Sequence, residues 1–457
     1  MKHYTIRKAE LIYVDRAVRR VLHNTRKIFR EAVSYIGEVV LAHWDEIQNA
    51  DSAKARKNIV EALIHHTKDN LSPVYKDFDR LFYKMPSYYR RAAIEFTIGQ
   101  VSSYLSRLKD YEERKRSAMS KGRRFGKKPP RLNLDTNANP VLYTGNMFKA
   151  VDGKVLIKVY IRNTWDWIEV RIPNRDIKSL SKMQSRSKKT HCPTLQYRYG
   201  KFYLMFPFEP YISPFEDVNI EGRTVFGVDL GINHGAVGSV VDARGNVYRR
   251  EFDPFDSERA SISRILDRIR CVQKKTGTEN SLASLYTKLQ GIKENYVCQL
   301  AHWIVETAVS CNVYGIVLEH LGKMKGRGRK KDRIHHWCKK RIANLVKGMA
   351  FRYGIRVFFI NPRNTSALAY DGSGAVMRND HNFSLCTFTS GKQYHCDLNA
   401  SYNIASRYFI RAMEKTMSSE AWEQLKAEVP ELSKRTDCTL STLWKIAKAK
   451  ICSGNAA

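Results

Sequence analysis

The stretch VFGVDLGINHGAVGSVV, residues 225–241, decides how the second half of the chain is interpreted. Its first apolar run contains one aspartate, Asp229, then breaks at LGINHG and returns to hydrophobic alternation. This pattern predicts two strands, at 225–230 and 235–242, with Asp229 at a position where a buried strand favours Val or Ile. A lone buried carboxylate is unfavourable unless a cation meets it. The stretch therefore predicts a strand-borne cation site.

Two further carboxylates occupy similar positions. Glu319 ends the apolar run GIVLE, and Asp397 comes just before a helical pattern, where an N-cap would lie. Such ends converge on one edge of an open α/β sheet, so we expect Asp229, Glu319 and Asp397 to meet. Three carboxylates suit Mg²⁺ or Mn²⁺, and two such ions about 3.5–4 Å apart can drive phosphodiester hydrolysis. Taken alone, Asp229 is equally well explained as a cap, a turn former or a satisfied core group, and Glu319 and Asp397 are better explained in that way. The set of three, in this order and each at the end of a strand or helix, favours the cation site.

The amino-acid composition indicates which class of partner the protein binds. The chain has 457 residues, 43% of them hydrophobic, and 79 Lys and Arg against 45 Asp and Glu give a formal net charge of +34. Such an excess predicts a polyanionic partner, and nucleic acid is favoured over a membrane surface because no long apolar run is present. The nine cysteines are dispersed without a C-x-x-C pair, which is typical of reduced thiols in a cytoplasmic protein.

Periodicity divides the chain into regions of different character. Helical spacing at about 15–47, 52–66 and 86–118 is followed by short aromatic and β-branched runs at about 138–212, which predict a small β-barrel that the N-terminal strand joins. From residue 224 the pattern is α/β, with helices predicted at 257–275, 281–311 and 335–353. The predicted fold class is multidomain α+β: a helical region inserted in a β-barrel, followed by an α/β domain with a small insertion.

Three segments carry a family resemblance. VFGVDLGINHGAVGSV, GIVLEHLGKMKGRGRKK with HHWCKKRI, and NPRNTSALAYDGSG with CDLNASYNIA together resemble the three RuvC motifs of TnpB-type transposon-encoded proteins and compact type V CRISPR effectors. The match spans about residues 224–410. It implies that Asp229, Glu319 and Asp397 are the metal-binding catalytic carboxylates, and that Arg363 is a cation meeting the scissile phosphate.

The resemblance also implies a domain order and a set of nucleic-acid contacts. Residues 1–14 would be the first strand of a wedge β-barrel, 15–137 a helical recognition domain, and 138–222 the rest of the wedge. Residues 223–364 would be the first part of an RNase H-like RuvC nuclease domain with a bridge-like basic helix at 257–275, 365–395 a target-loading insertion, and 396–457 the second RuvC part with a helical tail. The basic residues expected to contact nucleic acid are Arg259, Arg264, Arg268, Lys323, Lys325, Arg327, Arg329 and Lys330.

One departure concerns zinc. The family pattern places two C-x-x-C pairs between the second and third motifs, whereas this chain offers only His381, Cys386, His395 and Cys396 there. Tetrahedral zinc needs four suitably spaced N or S ligands. We therefore expect magnesium or manganese but no zinc, and an insertion held by packing and hydrogen bonds.

The resulting hypothesis is an RNA-guided DNA endonuclease that binds a guide RNA, recognises a short flanking DNA motif, forms an R-loop and cuts both strands of target double-stranded DNA. Its expected location is the prokaryotic cytoplasm, on the nucleoid when bound to DNA, with no membrane partner and no prediction of oligomeric state. The alternatives are a nuclease-inactive RNA-guided DNA-binding protein, a DNA transposase or recombinase acting without RNA, and a sugar kinase or actin-like ATPase. The last of these would need a second Asp-Gly turn and a nucleotide pocket, which the sequence does not indicate.

Overall fold

A computed structural model describes residues 4–66, 70–134, 138–151, 154–231, 235–276, 282–320, 330–378, 382 and 384–454. The chain forms two compact units, Met1–Tyr211 (unit 1) and Ile212–Ala457 (unit 2). Both units combine helices with sheets, so the predicted mixed α+β multidomain class is confirmed. Within the described residues, no helix is long and apolar enough to cross a membrane.

Unit 1 contains a helical part between its first strand and the remaining strands. Asp15 caps the first helix by accepting a hydrogen bond from the Val18 N–H at 2.7 Å. The apolar stripe predicted for this helix, including Phe29, Val33 and Ile36, is fully buried. The helices of unit 1 are α1 (Arg16–Ala42), α2 (Trp44–Gln48), α3 (Ala53–Ile64), α4 (Asp77–Leu81), α5 (Ser87–Met119) and α6 (Asn174–Ser185).

The strands of unit 1 form two sheets. They are β1 (Thr5–Glu10), β2 (Phe148–Val151), β3 (Lys154–Ile161), β4 (Thr164–Val170), β5 (Ser187–Thr190), β6 (Thr194–Arg198) and β7 (Lys201–Pro210). The N-terminal strand β1 pairs antiparallel with β7, as predicted, and β5 and β6 pair with the other edge of β7. Strands β2, β3 and β4 form a separate antiparallel meander.

The predicted closed β-barrel is absent from the described part of unit 1. Its two sheets are linked only by isolated bridges, such as Ile12 with Arg171. The chain leaves β4 directly into α6, whose N-cap is Pro173, so the strand cannot continue along a neighbour. The dipeptide Asp152–Gly153, which predicts a hairpin turn from the sequence, lies outside the described residues, and the flanking strands β2 and β3 pair with each other.

Unit 2 is built on a five-stranded mixed sheet. Its strands, in the order β10–β9–β8–β11–β12, are β8 (Thr224–Asp229), β9 (Val237–Asp242), β10 (Val247–Phe252), β11 (Gly315–Glu319) and β12 (Arg356–Ile360). The first three form an antiparallel meander, whereas β8, β11 and β12 run parallel. The meander turn contains Gly245, whose positive φ of 86° is a conformation that glycine adopts readily.

Helices cover both faces of this sheet. They are α7 (Asp256–Thr276), α8 (Ala283–Ser310), α9 (Lys330–Arg352), α10 (Cys396–Thr416), α11 (Ser419–Glu428) and α12 (Leu440–Gly454). Val225 and Val317 pack on the side of α10 and α12, whereas Phe226, Val228 and Leu318 pack on the side of α8 and α9. Coverage of both faces explains why β8 and β11 are almost continuously apolar in sequence.

The insertion before α10 forms a small three-stranded antiparallel sheet of β13 (Met377–Arg378), β14 (Leu385–Thr387) and β15 (Gln393–His395). Cys386 and Cys396 are buried there, in a cluster with Ala369 and Phe388. The Cys386 thiol donates a hydrogen bond to the Tyr394 carbonyl at 3.4 Å. Apolar packing thus surrounds two of the four residues considered for zinc. His381 lies outside the described residues.

Candidate active site

Asp229 and Glu319 lie side by side at the carboxyl ends of two neighbouring parallel strands. Leu318 of β11 is in register with Val228 of β8, so the next residues of the two strands are Glu319 and Asp229. Side chains alternate between the faces of a strand. Because Val228 and Leu318 face α8 and α9, the two carboxylates belong to the opposite face, which α10 covers.

A glycine lets α10 approach this face closely. A Cβ atom on Gly227 would lie 2.6 Å from the Ser401 carbonyl oxygen and 2.8 Å from the Ala405 Cβ. No other residue fits there, so Gly227 fixes how near the helix lies to β8. The helix begins at Cys396, which places Asp397 in its first turn. The N-cap is His395 rather than Asp397, so the helix macrodipole favours the carboxylate without its serving as the cap.

The three carboxylates act on one another electrostatically. Asp229 is 9% exposed, and burial raises its carboxyl pKa from 3.8 to about 8, with further increases from the negative charges of Glu319 and Asp397. The positive charges of Lys339 and Arg378 act in the opposite direction. The negative charges of Glu319 and Asp397 thus act on Asp229, and a negative charge on Asp229 is disfavoured until a cation offsets it.

The Glu319 carboxylate accepts a hydrogen bond from a buried threonine. The Thr365 hydroxyl, 2% exposed, lies 2.6 Å from Glu319 Oε1 and donates to it. Thr365 belongs to the turn that follows β12, and its own carbonyl accepts a hydrogen bond from the Asn403 side chain at 3.0 Å. The Asn399 and Asn403 amides both donate to the Leu368 carbonyl at 2.9 Å. The turn carrying Thr365 is thus fastened to α10.

Arg407 completes this polar stripe, since residues 399, 403 and 407 recur every four positions on one helix face. Its buried guanidinium donates to four backbone carbonyls, those of Asn361, Arg363, Thr436 and Cys438, at 2.5–3.2 Å. Burial lowers the pKa of Arg407, and the nearby Glu319 carboxylate acts to raise it. The stripe was missed in the sequence because a helical Asn or Arg gives no sign that its partners are loop carbonyls.

The predicted active-site cation, Arg363, has an exposed side chain, and its backbone carbonyl accepts the hydrogen bond from Arg407. The cations that act on Asp229 are instead Lys339 of α9 and Arg378 of β13. Arg378 donates to the Ser366 hydroxyl at 3.1 Å. Lys339 lies in the HHWCKKRI segment, so the sequence shows that the residue is basic. The sequence does not show that its charge acts on Asp229.

The donor set has the chemistry that a hard divalent cation requires. Three carboxylates provide only oxygen ligands, which suit Mg²⁺ or Mn²⁺. Within the described residues, however, no group of three His, Cys, Asp or Glu side chains has the arrangement of a metal-ion site. Like charges repel, and the pKa of Asp229 shows that these carboxylates do so. The residues therefore fit a divalent ion by donor type, and binding would require their side chains to draw together.

The predicted nucleic-acid contacts differ in their surroundings. Arg259 forms a buried ion pair with Asp253 and a second pair with the exposed Asp256, so its charge is already neutralised within unit 2. Arg264 and Arg268 of α7 are exposed. Lys323, Lys325, Arg327 and Arg329 lie outside the described residues, and of Lys330 only the backbone, which begins α9, is described.

Comparison with known proteins gives matches of limited strength. No curated protein matches the chain. Residues 5–161 match the model of the Aq_aa04 family. Among solved structures, the chain is similar to the mini-RNA-guided endonuclease CRISPR-Cas phi3, with 11% identity, a TM-score of 0.48, and coverage of 90% of this chain and 92% of that one.

Two further structures are similar to the chain. A Cas12f1–sgRNA–target DNA complex gives 14% identity, a TM-score of 0.32, and coverage of 88% of this chain and 98% of that one. Alicyclobacillus acidoterrestris C2c1 with single-guide RNA gives 11% identity, a TM-score of 0.39, and coverage of 85% and 69%. All three are type V CRISPR effectors, the class that the sequence motifs resemble. At these scores the function of this chain rests on its own site.

Proposed function

We propose that this protein is an RNA-guided DNA endonuclease whose unit 2 is an RNase H-like nuclease domain. The observation that carries the proposal is the placement of Asp229 and Glu319 at adjacent strand ends, with Asp397 on the helix that covers them. A carboxylate cluster in a chain of net charge +34 is unusual unless it serves a negatively charged substrate through cations.

The three carboxylates would hold the divalent ions, which supply, when bound, charge neutralisation at the phosphate and activation of the attacking water. Thr365 would keep the Glu319 carboxylate in a fixed orientation. Lys339 and Arg378 lie within electrostatic reach of Asp229 and would offset phosphate charge beside it. Arg264 and Arg268 would contact the nucleic-acid backbone from α7.

The source of specificity in this proposal is base pairing between a guide RNA and target DNA, with the protein contacting mainly the backbone. That division of labour suits a chain with a large Lys and Arg excess. A flanking-motif readout and R-loop formation belong to the same proposal. The resemblance of the three sequence motifs to those of RNA-guided nucleases supports the choice of RNA over a protein-only mode of target recognition.

The test uses the full-length protein purified from its host cell, because a guide RNA should copurify with it. Sequencing that RNA gives the guide, and a double-stranded DNA carrying the matching sequence gives the target. We expect cleavage in Mg²⁺, loss of cleavage in EDTA, and recovery when Mg²⁺ is restored. Guide-dependent binding without cleavage would favour the nuclease-inactive alternative, and activity after removal of the RNA would favour the transposase.

A further inference from the structure

A basic cavity lies in unit 1, and none of the residues that line it belongs to the candidate active site. Its volume is about 620 Å³, and one face of α1 provides its wall, including His23, Arg26, Lys27 and Arg30. The aromatic rings of Tyr197 and Phe202 pack against His23, with ring centroids 4.6 and 4.9 Å apart. The wall of the cavity is therefore cationic, and its His23 ring packs on two aromatic rings.

Arg26 is the unusual member of this wall. It is 9% exposed, and its Nε–H is buried without a hydrogen-bond partner. Its guanidinium carbon lies 5.6 Å from the centre of the Tyr197 ring, a cation–π arrangement. In the described part of the chain, no carboxylate forms an ion pair with Arg26. A buried guanidinium that cannot lose its proton is costly in this condition.

Other buried arginines of the same protein have partners. Arg90, 6% exposed, pairs with Glu61 at 2.8 Å, and Arg407, 4% exposed, donates to four carbonyls. The protein thus satisfies a buried guanidinium where its role is structural. Arg26 lacks such partners and borders a cavity instead.

The electrostatic surroundings of Arg26 point to an anion. Burial lowers the pKa of Arg26, and the positive charge of Arg30 lowers it further. Burial, together with the charges of Arg26 and Arg19, lowers the pKa of His23 as well. The carboxylate on the cavity wall, Glu31, pairs at 3.7 Å with Lys27, and both of those side chains are more than half exposed. Within the described residues, this carboxylate therefore does not offset the charge of Arg26.

We propose that this cavity binds a phosphodiester group of a nucleic-acid strand, with Arg26 as its buried anchor. The Arg26 guanidinium lies beside the Tyr197 ring, and its planar set of N–H groups matches the oxygens of a phosphate. Lys27 and Arg30 lie beside Arg26 on the same face of α1, so a phosphodiester, whose negative charge repeats along a strand, suits this wall better than a single carboxylate. The identification of the ligand as a nucleic-acid strand rests on the proposed function. The binding of an anion in the cavity does not depend on that function.

The experiment compares four single variants of the full-length protein. Arg26→Gln removes the charge of the anchor and leaves a polar side chain. Arg26→Lys keeps the charge but lacks the planar, forked N–H groups of the guanidinium. Lys27→Gln changes an exposed residue of the same cavity and cannot leave a buried group unpaired. Arg20→Gln is the matched control, since Arg20 is an exposed arginine of α1 that does not border the cavity.

The first readout is binding of a short single-stranded RNA, and of the DNA of the same sequence, over a range of salt concentrations. Loss of one phosphate contact should reduce the slope of log affinity against log salt by about 0.7, and loss of charge-assisted hydrogen bonds should weaken binding about tenfold. We expect both changes in R26Q, smaller ones in R26K and K27Q, and the least in R20Q. A larger loss on RNA than on DNA assigns the cavity to the guide, and the reverse assigns it to the target strand.

The second readout is thermal unfolding with and without inorganic phosphate. Phosphate should raise the melting temperature of the wild-type protein more than that of R26Q, and R26Q should be at least as stable as wild type in phosphate-free buffer. Unchanged binding of both strands with an unchanged salt slope in R26Q and K27Q would overturn the proposal, as would equal protection by phosphate or misfolding of R26Q. Cleavage is measured separately, so failure of the nuclease proposal would not be mistaken for failure of this one.

Discussion

The molecule has two clusters of like charge that differ in how charge repulsion is relieved. One is the acidic edge of unit 2, which carries Asp229, Glu319 and Asp397. The other is the basic cavity of unit 1, which is bordered by Arg26. At the acidic edge, Asp229 can accept a proton, and burial beside Glu319 and Asp397 raises its pKa to about 8. In the basic cavity, Arg26 has no such route, because a guanidinium stays charged throughout the usable pH range. Protonation of Asp229 therefore reduces the repulsion at the acidic edge at moderate pH even without a cation. The positive charge of Arg26, in contrast, is offset only when an anion binds in the cavity.

This difference shows how a buried charge indicates its role. Arg407 is as deeply buried as Arg26, yet its four carbonyl partners show that it serves the fold. Burial alone does not distinguish a structural group from a functional one. The distinction comes from whether the protein itself supplies the partners.

The largest effect on activity among the supporting residues is expected at Thr365. Thr365→Val keeps the side-chain shape and removes the hydroxyl that donates to Glu319. We expect the cleavage rate to fall about tenfold with little change in DNA affinity, because a hydrogen bond to a charged group is lost. Thr365→Ser retains the hydroxyl and should recover most of the rate. Equal rates for the Val and Ser variants would show that Thr365 does not orient the carboxylate.

A stability comparison separates the two buried arginines. Arg407→Gln should lower the free energy of unfolding by on the order of 3 kcal/mol, since several buried carbonyls lose their donor. Arg26→Gln should cause no such loss, because Arg26 has no carboxylate partner within the described residues and its buried Nε–H makes no hydrogen bond, which leaves the Tyr197 ring as the contact to be lost. Urea denaturation of both variants measures the difference. Similar losses in the two would mean that Arg26 also has a structural role.

A smaller effect is expected in the pH dependence of stability. The ordinary pKa of Asp229 is 3.8 and its folded value is about 8, so between these values the folded state binds more protons than the unfolded state. The free energy of unfolding should therefore fall as pH rises through this range. Asp229→Asn should remove that decline, becoming increasingly more stable than wild type up to about pH 8 and matching it below about pH 4. Urea denaturation in EDTA tests this, with Asp217→Asn as the exposed control, and parallel curves for Asp229→Asn and wild type would contradict it.

The sequence predicted a helix or strand correctly where its apolar spacing fitted only one type of secondary structure. The long helices α1, α5, α8 and α10 and the strands β8, β9 and β11 lie where their apolar spacing predicts. The barrel prediction was wrong because strand content does not define strand partners, and the exit from β4 into α6 was hidden in a polar, basic segment. Helix α6 has no buried side chain, which explains its weak pattern.

For the candidate site, the sequence located the carboxylates but not the groups around them. Asp229 and Glu319 could be placed because each ends an apolar strand, and parallel strand ends share an edge. Thr365, Arg378 and Arg26 carry no such signal. Their roles depend on contacts between residues far apart in the chain, and the periodicity of local sequence contains no information on those contacts.

The central claim is that Asp229, Glu319 and Asp397 jointly serve DNA cleavage, and the most direct measurement is guided cleavage by Asp229→Ala. Cleavage should fall by about a thousandfold or more, on the scale seen when a group that stabilises a transition state is removed, while guide-dependent DNA binding stays near wild type. Asp217→Ala, which changes an exposed aspartate of the same unit, should cleave normally. Cleavage by Asp229→Ala at the wild-type rate would contradict the claim.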